Sequence, residues 1–102
     1  ELALDLAHMI KTRYISQSRL NRNRAVLKAL GTLRNVRVLP VLQKKASVFF
    51  SFTPAALRQT QSFLYTTLTE YPRESVEGLI LQGLRSGNLA IRKFCQGMIQ
   101  TP

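Results

Sequence analysis

Reactive side chains are few in this chain: one histidine, His8, and one cysteine, Cys95, stand near opposite ends of 102 residues. They have the types of a thiol nucleophile and its base, but such a dyad works only within hydrogen-bond reach. One His and one Cys also fall short of the nitrogen and sulfur ligands that a structural zinc takes. Cys95 sits on an apolar helical stripe, where a thiol serves as a small hydrophobe. No glycine-rich turn lies between a strand and a helix, so no phosphate cradle is read. The acids are Glu1, Asp5, Glu70, Glu74 and Glu77, which leaves residues 6–69 without a carboxylate for acid–base work. The expectation is a non-enzymatic protein with no catalytic residue, no metal and no cofactor.

What the sequence does offer is cation chemistry. Lys and Arg number 15 against 5 acids, a formal charge of +10. The acid-free stretch holds Lys11, Arg13, Arg19, Arg22, Arg24, Lys28, Arg34, Arg37, Lys44, Lys45 and Arg58. A one-sided field of this size attracts polyanions, acidic protein surfaces or anionic lipid heads. The bland alternative is a solvated basic surface. Nine of these bases are the candidate partner-binding residues: Arg19, Arg22, Arg24, Lys28, Arg34, Arg37, Lys44, Lys45 and Arg58. Arg24 and Lys28 are i, i+4 neighbours and so point the same way from a helix. Nucleic-acid backbones are bound by spaced bases of this kind. Single-strand platforms also interleave aromatics with the bases, and Tyr14, Tyr65 and Tyr71 are not so placed. An acidic protein surface is therefore the first expectation for the partner, and nucleic acid the second.

The elements that must position these bases read as helices. Leu2, Leu6, Met9, Ile10 and Tyr14 recur at helical spacing, which predicts a first helix over 2–15. Ser18 or Asn21 is a cap for a second helix carrying Val26, Leu30 and Leu33 inward. A third is predicted from Val36 to Ser47, with Pro40 tolerated in its first turn. The stretch 46–52 has strand-like composition but no partner strand; it reads as a long turn or helix extension whose Phe49, Phe50 and Phe52 plug the core, with an exposed protein-docking knob as the alternative. Thr53-Pro54 starts a fourth helix that runs to about Glu70 with Gln59, Gln61 and Ser62 on a polar face. A fifth spans 74–86, and Asn88 caps a sixth that holds Ile91, Phe94 and Cys95. The fold expected is all-α, six helices pairing as 1–2, 3–4 and 5–6.

The junction "AVLKALGTLRNVRVLPVL" resembles that between consecutive HEAT repeats, and "LILQGLRSGNLAIRKFCQGMIQ" resembles a HEAT-repeat core, with Ile91-Arg92 at its aliphatic–arginine step. The resemblance implies a right-handed antiparallel helix-pair array, with repeats at about 1–34, 36–71 and 73–101, that acts as a scaffold for a macromolecular partner. The aspartates usual in HEAT turns are replaced by Asn35 and Ser86-Gly87. The same words also look like the helical part of large lipid-transport proteins, a weaker alternative.

A chain of this length is one domain with room for a real core. A lone cysteine points to an intracellular setting. No apolar run approaches the ~20 residues of a membrane-spanning helix. Beginning at Glu1 without an initiator methionine, the chain reads as a piece of a longer solenoid. Its end repeats are then expected to expose apolar faces and to self-associate.

Overall fold

Helical periodicity becomes helix in every regular element of the computed structural model, which describes residues 1–100. The elements are α1 (Leu2–His8), α2 (Gln17–Leu33), α3 (Leu39–Ala46), α4 (Pro54–Thr67), α5 (Glu77–Gly83) and α6 (Leu89–Gln100). Short 3-10 turns at Val36–Val38, Leu68–Glu70 and Arg73–Ser75 bend the chain between them. No strand forms among the described residues. The fold is all-α.

Ser16, rather than Ser18 or Asn21, caps α2: its side-chain oxygen accepts from the Arg19 N–H at 3.3 Å. The helix thus starts two residues before a Ser18 cap and five before an Asn21 cap would start it, and Arg19, Arg22, Arg24 and Lys28 all lie upon it. Asn88 caps α6 as expected, accepting from the Ala90 N–H at 3.0 Å. α1 packs on α2, α3 on α4 and α5 on α6, while α2 also lies along α4 and α4 along α6. The result is a slab 38 × 31 × 17 Å, and helices packed 8–10 Å apart make its thinnest dimension about two layers deep.

Leu27, Leu30, Leu42, Leu64, Leu68 and Ile80 are fully buried in one central cluster, and Ile15, Leu20 and Leu57 form a smaller one. Side-chain hydroxyls bind the layers to each other. Tyr71 donates to the Leu30 carbonyl at 3.1 Å, Thr67 to the Leu27 carbonyl at 3.3 Å and Tyr65 to the Leu79 carbonyl at 3.1 Å. Gly31 lets α2 approach the turn after α4; a Cβ there would lie 3.3 Å from Thr67 and Glu70 side-chain carbons.

Four expectations are corrected. The first helix stops at His8 instead of Ile15, and it buries Ala3 and Ala7 while Leu2, Met9 and Tyr14 are exposed. Beyond it the chain runs irregularly because other elements take over its backbone polar groups. Asn23 accepts from the Lys11 N–H at 3.0 Å and donates to the Lys11 carbonyl at 2.9 Å. Thr53 accepts from the Ile15 N–H at 2.9 Å. The fifth helix is shorter than 74–86, since the Arg73–Ser75 turn closes on Val76 before α5 begins. Gln61 is buried rather than wet, and its amide donates to the Val48 carbonyl at 2.8 Å and to carbonyls ending α3. Finally, the three phenylalanines do not plug the core. Phe49 is 96% exposed, Phe50 58% and Phe52 68%, because Ile15, Leu20, Leu57 and half-buried Val48 already fill that end.

Candidate functional site

The nine bases singled out in the sequence do not share one track. Arg24, Lys28 and Arg34 line a groove of about 680 Å³ between α2 and α4. Lys44 and Lys45 border another hollow with His8 and Pro40. Arg58 borders the hollow beneath Phe49 and Phe50 as well as a shallow one beside Phe63. Arg19 lies 5.7 Å from the Tyr14 ring centre and donates to the Tyr14 carbonyl at 3.2 Å. Arg22 is exposed on α2.

Acid-free in sequence is not acid-free in space. Folding brings Glu70 to Arg34 at 3.2 Å and Glu1 to Arg37 at 3.3 Å, and Asn35 donates to the Glu1 carboxylate as well. Both pairs are largely exposed, where an ion pair contributes little to stability. Their consequence is electrostatic: they remove Arg34 and Arg37 from the free cations. Among the described residues no carboxylate lies within 4.0 Å of Arg24, Lys28, Lys44, Lys45 or Arg58.

The α2/α4 groove is the best built of these places. Its floor is Leu27 and Gly31 with Phe63 on the opposite wall. The Arg24 guanidinium lies 5.2 Å from the Phe63 ring centre, a cation–π contact that holds it at the rim. Arg24 and Lys28 border the same groove beside α4, as their spacing allows, and both are exposed to solvent. The hydroxyls nearby are already donating: Thr32 to the Lys28 carbonyl at 3.2 Å, Thr66 to the Ser62 carbonyl at 3.0 Å and Thr69 to the Thr66 carbonyl at 2.9 Å. The two cations are therefore the groove's uncommitted donors. The arrangement suits a ligand with acceptor oxygens at one end and apolar surface at the other.

Phe63 was not among the candidate residues. Its adjacency to Leu64 was the available signal, because two neighbouring apolar residues on a helix cannot both centre on one stripe. Leu64 is fully buried and Phe63 half-buried.

The reactive singletons lie in different surroundings. His8 is exposed at the end of α1 beside Pro40 and Lys44. Cys95 is fully buried in α6 against Gly83 and Tyr65, and burial pushes its thiol pKa up. Burial, and after it the neighbouring Lys11, lowers the Lys45 ammonium pKa. Among the described residues no three His, Cys, Asp or Glu side chains gather to hold a metal, and no helix is long and apolar enough to cross a membrane. No protein-family model, curated protein or solved structure matches the chain.

Proposed function

We propose that this chain is a non-enzymatic scaffold of HEAT-like helix pairs that binds an acidic protein segment in the groove between α2 and α4. The observation that carries this reading is the pair Arg24 and Lys28, free of carboxylates, at the rim of a groove floored by Leu27 and walled by Phe63. Carboxylates reach the two cations while an apolar side chain enters beneath them. The scaffold part rests on the contacts α1–α2, α3–α4 and α5–α6 together with the stacking of α2, α4 and α6. Against a nucleic-acid track stands the division of the bases among separate hollows. An intracellular setting accompanies the reading, supported by the single buried cysteine. Exposed Leu2 on α1 and Leu89 and Ile99 on α6 support further packing or self-association at the ends.

Fluorescence anisotropy with a labelled peptide of alternating Glu and Leu tests the proposal against a labelled DNA duplex of similar charge. The peptide is expected to bind more tightly, and replacing Arg24 and Lys28 together by Gln should weaken it by about tenfold to a hundredfold. The reading fails if the duplex binds more tightly and the double variant lowers its log affinity–log salt slope by roughly two.

A further inference from the structure

We propose that the loop between α3 and α4 is a membrane-surface wedge that inserts Phe49, Phe50 and Phe52 into an anionic lipid interface. The site goes beyond the α2/α4 groove and shares no lining residue with it. Three phenylalanines within four positions stand out from the surface, Phe49 being 96% exposed. Water contact with that much aromatic surface is costly, and a lone loop of this kind is what an apolar environment covers.

The loop is held out by design of its backbone, not by slackness. The Phe52 N–H donates to the Arg13 carbonyl at 2.8 Å and the Ser51 hydroxyl donates to the same carbonyl at 2.9 Å. The Thr53 N–H donates to Ser51 Oγ at 3.1 Å, and Gln61 donates to the Val48 carbonyl at 2.8 Å. Ser51 is thereby buried while its neighbours on both sides face out. Phe50 and Phe52 meet edge-to-face at 5.3 Å, which fixes them as a pair.

Charge decides the occupant. Arg58 and Arg85 line the same hollow as Phe49 and Phe50, Lys44 and Lys45 stand in the last turn before the loop, and Arg13 is its anchor. Among the described residues no carboxylate lies within 4.0 Å of any of these five bases. An apolar tip beside the hollow that Arg58 and Arg85 line, with Lys44 and Lys45 in the turn before it, matches the acyl boundary beneath anionic headgroups, to which each nearby Lys or Arg adds attraction. The aromatics project as a knob, so they fit a deformable bilayer that needs no preformed pocket. Among the described residues no helix is long and apolar enough to cross a membrane.

The test is vesicle flotation with the whole chain near physiological salt, comparing phosphatidylcholine alone with phosphatidylcholine mixed with phosphatidylserine. Binding is expected to the mixed vesicles and to be much weaker to the neutral ones. The triple variant Phe49→Ser, Phe50→Ser, Phe52→Ser should lose about a thousandfold, at about tenfold for each phenylalanine removed from lipid. Its circular dichroism should match the parent, since the three side chains lie outside the core. The proposal is overturned if the parent ignores the mixed vesicles, or if the triple variant binds them equally. It is also overturned if the phenylalanines serve instead to pair two copies, seen as a parent dimer and a variant monomer in vesicle-free buffer.

Discussion

Asn23 is fully buried, and its amide serves three groups at once: the N–H and carbonyl of Lys11 and the hydroxyl of Thr60 at 3.2 Å. Truncation leaves the part-buried Lys11 N–H and carbonyl and the buried Thr60 hydroxyl without this partner, and a buried orphan costs about 1–3 kcal/mol. Asn23→Ala should therefore lower unfolding free energy by about 2–3 kcal/mol in urea titrations, whereas exposed Asn21→Ala should change it by less than about 0.5. Equal effects at the two positions would remove Asn23 from the framework. Tyr65 governs a different condition. Burial first, then Cys95, pushes its phenol from the ordinary 10.0 to about 12, and burial raises Tyr71 as well. Below pH 10 both folded and unfolded forms keep their protons, so the contribution is complete there. As pH rises from 10 to about 12 the unfolded chain gives up its phenolic proton first, and stability falls. Thermal melts across this window should show Tm dropping more steeply for the parent than for Tyr65→Phe; parallel slopes would contradict it.

Helix pairs depend on where a side chain is missing as much as on where one is present. A Cβ on Gly83 would stand 2.3 Å from the Cys95 sulfur and 2.8 Å from a Tyr65 ring carbon, so α5 meets α6 and α4 through that glycine. Gly83→Ala should destabilise by about 1–3 kcal/mol through overpacking, despite alanine's better helix propensity. A smaller loss on adding Gly83→Ala to Cys95→Ala than to the parent would confirm the sulfur contact, the Tyr65 contact at 2.8 Å remaining; an undiminished loss would remove Cys95 from it. Most helices were legible from spacing alone, since Val26, Leu30 and Ile91 fall inward where a stripe predicts them, although Leu33 at the end of α2, expected inward with them, is 48% exposed. In 9–16, where spacing predicts helix, backbone groups are instead satisfied by the distant side chains of Asn23 and Thr53. The 47–53 stretch is the irregular connection expected, held by Gln61, and only the exposure of its phenylalanines differs. No local pattern announces such partners. The Phe49–Phe52 loop has no periodicity to say which side faces in, and aromatic composition alone points to the core.

On the scale of the whole molecule, the excess charge was plain in the sequence and its grouping was not. The carboxylates that neutralise Arg34 and Arg37 come from positions 70 and 1, a pairing made only by packing the ends of the basic stretch against them. What survives is Arg24 and Lys28 at one groove and a second set of bases around the phenylalanine loop, on a slab 17 Å thick. That division gives the two surfaces separate partners and makes each removable without the other. The most direct measurement of the groove's role is an amide chemical-shift map of the labelled chain titrated with the Glu-Leu peptide. The predicted shifts concentrate at Arg24, Leu27, Lys28, Gly31, Phe63 and Thr66, leave Phe49 to Phe52 unmoved and fade as salt rises. Shifts spread evenly over every exposed Lys and Arg, or centred on the phenylalanine loop, would contradict a binding groove between α2 and α4.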